Sequence, residues 1–528
     1  MPSNPKEIIF NDQAREKLKK GINELADVVS VTLGPKGRNV AISSWAMPKI
    51  SNDGNSLIDD IDLKDDFEDM GAKLAKEVAQ KIKQSSGDGT TTGVVLLRSI
   101  VNEGMKHITT GASAIHIKKG LEKALEKVLE KIDEISDKIK SDEDIENIAT
   151  VSASGDTKIG KDILSSFKKA ENKASITIEN GNKNETEIVI KEGLEIERGY
   201  LSPYFCNDTS KMIVEMTNPK ILITDKKIST IQDLLVILQS TASTSKELLI
   251  IADEIDADTL STLVINNIKG VMKVAAIKTP GFGDKRKDIL EDIAHLTDGT
   301  YFSEDKGLIL KDAKFEELGD LEKVIITKDK TLLIGGKGKK LQKRIALLEQ
   351  EKESSDDDID KDQLDKRISK LKGGVVVIKI GSASDSELKE KKQKYEDSLN
   401  ATKAAIEDGI VAGGGISLLR ARDAIDNLEV SIEEKVGVDI LKKALLAPLK
   451  QIISNAGIDY HLIIDALLKK EKTFGFNVIT EKIEDFIKTG IIDPTKVIKN
   501  SLIHAVSIAK IVLLSEALVA DAKDEDKK

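Results

Sequence analysis

Cysteine is nearly absent from the 528 residues: Cys206 stands alone. One thiol cannot form an internal disulfide, and it excludes a zinc site built from clustered cysteines. A basic excess is also missing. The net charge is −10, with 81 Lys and Arg against 91 Asp and Glu, which argues against nucleic acid as the main partner. No unbroken apolar run approaches the roughly 18 residues that a membrane span needs, so no membrane partner is expected. The opening Met1-Pro2-Ser3-Asn4-Pro5-Lys6-Glu7 has no apolar core and no arginine-rich amphipathic pattern, so neither a signal nor a transit peptide is expected. Together with the missing disulfides, this points to a reducing compartment, the cytoplasm. There is no internal repeat and no long low-complexity tail.

What is present fits a folded, multidomain protein. Hydrophobic residues make up 40% and charged residues 33%, and the length exceeds what one core normally organises. Both chain ends read as helical. Ala14, Leu18, Ile22, Leu25 and Val29 step by three or four residues, and segments 64–85, 90–108 and 113–139 do the same. Near the C-terminus Asp493 is a plausible N-cap with Pro494 at the first helical position. The helix it starts carries Val497, Leu502, Ala505, Ile508, Val512 and Leu513. Between about 175 and 335 the pattern changes. Short β-branched runs such as Ile176-Thr177-Ile178, Ile221-Leu222-Ile223, Leu248-Leu249-Ile250-Ile251 and Val274-Ala275-Ala276-Ile277 appear. Helical stretches near 230–240, 256–268 and 285–297 separate several of them, which predicts an α/β domain with some parallel strands. Residues 338–371 read as a solvated helical hairpin broken at Asp356-Asp357-Asp358. Gly193 and Gly373-Gly374 mark turns or hinges beside predicted strands.

The most informative stretch is Gly87-Asp88-Gly89-Thr90-Thr91-Thr92, followed by the apolar run Val94-Val95-Leu96-Leu97. Glycines let a backbone approach a ligand, and a helix start offers N–H groups and a positive dipole end to phosphate. Asp88 supplies a hard oxygen for Mg²⁺. The bland alternative is an ordinary helix cap. No Gly-Lys-Ser/Thr follows, so this is not a Walker A loop. Three further segments keep it company: Thr32-Leu33-Gly34-Pro35-Lys36-Gly37-Arg38-Asn39-Val40, Asn52-Asp53-Gly54 and Val411-Ala412-Gly413-Gly414-Gly415-Ile416.

In this order the four segments resemble the nucleotide pocket of the group I chaperonins, the GroEL-like large subunits. The resemblance runs along essentially the whole chain. It includes Arg198-Gly199-Tyr200-Leu201-Ser202-Pro203-Tyr204-Phe205, Pro280-Gly281-Phe282-Gly283-Asp284 and Asp493-Pro494-Thr495-Lys496-Val497. It implies a multidomain α and α/β fold. A helical equatorial ATP-binding domain is expected from 1–134 and 410–528, and a small intermediate hinge domain from 135–191 and 375–409. An α/β apical domain, 192–374, would be inserted between them, with Gly193 and Gly373-Gly374 at its hinge.

By that resemblance Gly87, Asp88, Gly89, Thr90, Thr91 and Thr92 wrap the phosphates, with Asp88 on the metal. Thr32, Leu33, Gly34 and Pro35 face the nucleotide from the other side, and Gly414 and Asp493 meet the ribose. Asp53 and Asp397 are the implied catalytic acids. Asp53 helps to position the attacking water, and Asp397 belongs to a helix that swings over bound ATP. By charge pattern alone Asp397 would be one acid on a solvated face. ATP and Mg²⁺ are the implied cofactors, with K⁺ left open by two departures, Asn52 and Asp59, where the family usually has lysine and arginine. Gly93 stands where alanine is usual. Phe474-Gly475-Phe476-Asn477-Val478-Ile479 sets bulkier groups around the base.

The resemblance also implies an apolar surface for unfolded client proteins: Tyr200, Tyr204, Phe205, Leu235, Leu238, Leu260, Val264 and Ile265. Spacing alone would make these a core stripe. The polar end Gln239-Ser240-Thr241-Ala242-Ser243-Thr244-Ser245 narrows that groove, and the tail from Asp521 to Lys528 is charged rather than Gly-Met-rich. The implied whole is a homo-oligomer of two stacked heptameric rings, closed by a GroES-like co-chaperonin, that folds captured proteins at the expense of ATP. The alternatives are a specialised paralogue acting as a client-binding or scaffold protein, and an ordinary ATP-dependent phosphotransferase, for which no acceptor site is evident.

Overall fold

The computed structural model describes residues 5–522 apart from 44–47, 52, 171–174, 182, 245, 282, 337–339 and 355–357. Asn52, Ser245, Phe282, Asp356, Asp357 and the tail beyond residue 522 therefore lie outside the described residues, as does Met1 to Asn4. The chain divides into two compact units, Met1–Leu164 with Gln393–Lys528, and Ser165–Lys392.

The first unit is a helical body. Its long helices are Asn11–Ser30, Asp66–Ser86, Thr90–Thr109, Ala114–Glu134 and Thr495–Leu514. Ala14, Leu18, Ile22, Leu25 and Val29 all face inward, as their spacing predicts. The Thr495 helix is apolar and long enough to cross a membrane by composition. Its sequence is punctuated by Lys496, Lys499 and Lys510, and Leu502, Ala505, Ile508, Val512 and Leu513 are buried in the shared core. It is the central helix of this body. A β-ribbon joins the chain ends, with Lys6–Phe10 antiparallel to Ala517–Asp521.

Two helix boundaries differ from the sequence reading. The helix predicted to reach 139 stops at Glu134, because Asp137 exchanges backbone hydrogen bonds with Ile410 instead. Asp493 is not an N-cap. It lies in the strand Ile492–Pro494, opposite Val411 of Ile410–Ala412. Extended pairing continues through Pro494, so Pro494 takes the capping position and the Thr495 N–H donates to the Gly409 carbonyl (3.0 Å).

The second unit is α/β. Strands Lys220–Thr224, Glu247–Ala252 and Lys273–Lys278 are parallel, and the two crossovers carry helices Leu235–Thr244 and Ala257–Ile268. Right-handed crossovers stepping in one direction put both helices on the same sheet face. Antiparallel strands Gly319–Ile326, Thr331–Gly336 and Gly193–Ile196 extend the sheet. A separate three-stranded sheet joins Ser175–Asn180, Val375–Ile380 and Glu187–Lys191. The predicted hairpin is Leu341–Ser354 and Asp358–Gly373, but it is not merely solvated. Leu341, Ile345, Leu348, Ile368 and Leu371 are buried, and Arg344 and Arg367 both grip the buried carboxylate of Asp292 at 2.9 Å.

Candidate functional site

In the first unit, two turns and a helix start meet at a group of carboxylates. The Asn11 helix runs out at Val31, and Thr32 Oγ1 donates back to the Val29 carbonyl (2.8 Å). Asn455 Nδ2 donates to both the Ser30 and Leu33 carbonyls (2.8 Å each), so the Thr32-Leu33-Gly34-Pro35 turn is held from the far end of the chain. The next turn carries Asp53, whose Oδ2 accepts from the Ser56 N–H (3.0 Å) and hydroxyl (2.6 Å). A Cβ on Gly54 would lie 2.1 Å from Thr91 Oγ1 and 3.1 Å from Thr32 Oγ1. Glycine thus lets this turn touch both its neighbours.

Asp88 sits between two glycines. Its Oδ1 accepts the Gly89 N–H (2.5 Å), and the Ser152 side chain also hydrogen-bonds its carboxylate. Gly89, at φ +92°, is the N-cap of the Thr90 helix and offers no side chain to its first N–H groups. The N–H groups of Thr90, Thr91 and Thr92 therefore form an uncapped positive helix end. The Ser501 hydroxyl donates to the Gly89 carbonyl (3.1 Å), tying the loop to the Thr495 helix.

Asp493 comes from the other chain end. The Gly414 N–H donates to its carboxylate, and a Cβ on Gly413 would lie 3.0 Å from its Oδ1. Burial, and behind it the charge of Asp88, push its carboxyl up to about 7. Gly414, at φ +62°, also lies against Phe486, whose ring fills the space beside Gly475. Asp397 stands on the helix Asp385–Asp408. Burial first, and then repulsion from Asp53 and Asp88, hold its carboxyl well above the usual carboxylate range, while Lys83 and Gln393 pull the other way. Burial raises Asp88 too, with Asp53 adding to it.

Asp53, Asp88, Asp397 and Asp493 thus share one electrostatic neighbourhood beside an uncapped helix start. Such a set suits a phosphate on the N–H groups and a cation among the acids. Among the described residues no three His, Cys or acidic side chains form a metal cage by themselves. Mg²⁺ asks for less, since it usually takes one or two carboxylates and completes its shell with phosphate oxygens and water. The residues present fit that group.

Comparisons with known proteins identify the family and the fold. Residues 25–523 match the TCP-1/cpn60 chaperonin family. The chain belongs to that family. It is 50% identical over 525 residues to Chaperonin GroEL 3 of Protochlamydia amoebophila (strain UWE25), covering 99% of this chain and 98% of that one. Its fold matches the chaperonin gp146 of bacteriophage EL 2 (Pseudomonas aeruginosa) in two crystal forms solved with ATP-BeFx. The TM-scores are 0.67 and 0.62 at 21% identity, each over 98% of this chain and 99% of that chain. This GroEL-like chaperonin therefore has the multidomain fold that the sequence suggested.

Three residues of the site escaped the sequence reading. Ser152 ends the helix Asp142–Ser152 and reaches Asp88, with no local signal to mark it. Ser501 lies inside an apolar helix. Gln393 donates to Asp397 Oδ1 at 2.7 Å. Its spacing of four residues on a helix was the available sign.

The expected client surface is only partly a surface. Tyr204, Leu235 and Ile265 are exposed. Tyr200, Leu260 and Val264 are half-buried and pack on the core of the second unit. Phe205 and Leu238 belong to that core, at 1% and 6% exposure. The reason for Leu238 is the setting of its helix, which turns Ile237, Leu238 and Thr241 inward and leaves Leu235 and Val236 outside. Phe205 ends a 3₁₀ turn, Pro203–Phe205, that points its ring inward. The exposed apolar set instead includes Val236, Ile268 and Val271, which spacing arguments passed over.

Proposed function

We propose that this chaperonin binds and hydrolyses ATP with Mg²⁺ and uses the cycle to fold captured proteins in a ring chamber closed by a co-chaperonin. The observation that carries the reading is the convergence of four acids on the uncapped start of the Thr90 helix. In this reading Gly89, Thr90, Thr91 and Thr92 hold phosphate oxygens, and Thr32, Leu33, Gly34 and Pro35 line the opposite wall. Gly414 and Asp493 bind the ribose. Asp88 is the carboxylate that holds the metal, which when bound neutralises charge on the phosphates. Asp53 and Asp397 orient the attacking water, since phosphoryl transfer depends on placement and charge more than on covalent chemistry.

The same reading assigns 1–134 with 410–528 to ATP binding and ring contact, and 135–191 with 375–409 to a hinge. It assigns 192–374 to client and co-chaperonin binding, with Tyr204, Leu235 and Ile265 as the apolar contacts available in this conformation. Exposed apolar groups favour promiscuous capture because they need area rather than directional geometry. The assembly is a pair of heptameric rings in the cytoplasm.

Asp397→Ala provides the test. The variant should bind Mg·ATP near wild-type affinity and hydrolyse it at least about a hundredfold more slowly, because a water-positioning group acts on turnover rather than affinity. Unchanged turnover would reject the assignment.

A further inference from the structure

The helix that carries Asp397 is fastened to its surroundings by two side chains within four residues of sequence. Tyr395, buried at 2% exposure, donates its hydroxyl to Asp162 Oδ2 at 2.5 Å. Ser398, fully buried, donates to the Ala149 carbonyl at 2.9 Å. These two flank Asp397 and fix how the helix is turned about its axis, against the helices Asp142–Ser152 and Thr157–Ala170. The Asp142 helix also carries Ser152, the hydrogen-bond partner of Asp88. Fixing the helix leaves one freedom, the side-chain rotation of Asp397 itself. Gln393 Nε2 removes it by donating to Asp397 Oδ1 at 2.7 Å. A carboxylate held by one oxygen keeps the other for a second partner.

We infer that Gln393 is a positioning residue for ATP hydrolysis: it holds Oδ1 of Asp397 so that Oδ2 is presented to the attacking water. The inference rests on the hydrolytic reading of the Asp53, Asp88 and Asp397 group. Gln393 itself touches neither nucleotide nor water. Its contribution is orientation, and displacement of a positioned group by an ångström is enough to slow a reaction by orders of magnitude. Its side chain donates a neutral amide N–H to a carboxylate, so it holds the charged form without adding a charge of its own.

The full-length chain tests this by steady-state ATP hydrolysis of Gln393→Met and Gln393→Glu beside Asp397→Ala. Methionine keeps the length and helix preference of glutamine without the donor. Glutamate keeps the shape and places a second anion against Asp397. Gln393→Met is expected to lower kcat about tenfold with KM for ATP within about twofold, and Gln393→Glu to lower kcat further. Circular dichroism and native mass should match wild type for both. A merely structural side chain would give the opposite order, with the isosteric glutamate the milder change, or would move KM as much as kcat. Wild-type kcat in Gln393→Met, while Asp397→Ala has lost hydrolysis, overturns the inference and leaves the hydrolytic reading standing. Retained hydrolysis in Asp397→Ala overturns both.

Discussion

Replacing Asp493 with asparagine should stabilise the nucleotide-free chain, and increasingly so as pH rises. The carboxyl of Asp493 lies at about 7, against an ordinary 3.8, because burial and the charge of Asp88 both disfavour its anion. An acid with a raised folded-state pKa holds its proton more tightly in the folded chain than in the unfolded one. Its penalty is therefore absent below about pH 4, grows through the interval up to about 7, and is complete above it. At about 1.4 kcal/mol per pKa unit, the full penalty is about 4 kcal/mol. Asparagine keeps an oxygen for the Gly414 N–H and cannot ionise. Any fixed cost of the substitution cancels when one variant is compared with itself at two pH values. The stability gap between Asp493→Asn and wild type should thus widen by about 3 kcal/mol between pH 5 and pH 8. At roughly 2 °C per kcal/mol for a large domain, that is about 6 °C in Tm. Scanning calorimetry at one scan rate, without nucleotide or Mg²⁺, reads it directly. A gap that stays constant or shrinks as pH rises would refute the electrostatic account of the acid group.

The apolar surface makes two separable predictions. Leu235→Glu and Ile265→Glu should leave the fold and ATP hydrolysis intact while abolishing capture of a denatured protein, because a docked client would bury an unpaired carboxylate. Leu238→Glu, three residues along the same helix, should instead unfold the second unit at a cost above about 4 kcal/mol, since it puts the charge into the core; protease resistance separates the two outcomes. Asp292→Ala should destabilise the second unit by about 3–5 kcal/mol by leaving Arg344 and Arg367 without their shared carboxylate, and Asp292→Asn should recover only part of that loss in urea denaturation.

The segments whose pattern depends on local chemistry were legible. The inward stripe of the Asn11 helix follows from apolar spacing, and the parallel strands at 221–223, 248–251 and 274–277 from short apolar runs alternating with helical stretches. Boundaries set by distant pairing were not legible. Asp493 carried every local sign of a cap, yet Ile410–Ala412 recruited it into a strand from more than 80 positions away. Residues 338–371 read as a solvated hairpin because their charges outnumber their apolar residues. Two of those charges, Arg344 and Arg367, turn inward to a single acid that no spacing rule connects to them. For Leu238 the resemblance implied surface and the spacing implied core, and in the fold it is buried while Leu235 is exposed. Two residues three apart on a helix differ by about 60° in direction, enough for one to face the core and the other solvent.

The glycines of the candidate site explain why its membership could be suspected from motifs but its assembly could not be derived. In the sequence they read as places where a backbone approaches a ligand. In the fold most of them are also places where another part of the chain arrives. A Cβ on Gly87 would meet Asn400 Cβ at 2.2 Å, one on Gly89 would meet Ser501 Oγ and Val497 Cγ1 at 2.6 Å, and one on Gly54 would meet Thr91 Oγ1 at 2.1 Å. The missing side chains therefore let the Asp397 helix, the Thr495 helix and the Asp53 turn close on one loop. That closeness buries four acids in a common field, and burial first, with the field behind it, raises the carboxyls of Asp88, Asp397 and Asp493. A glycine records only that something must come near. Whether the visitor is a phosphate or another helix is settled by the partner residues, and for Gly87 and Gly89 those lie hundreds of positions along the chain.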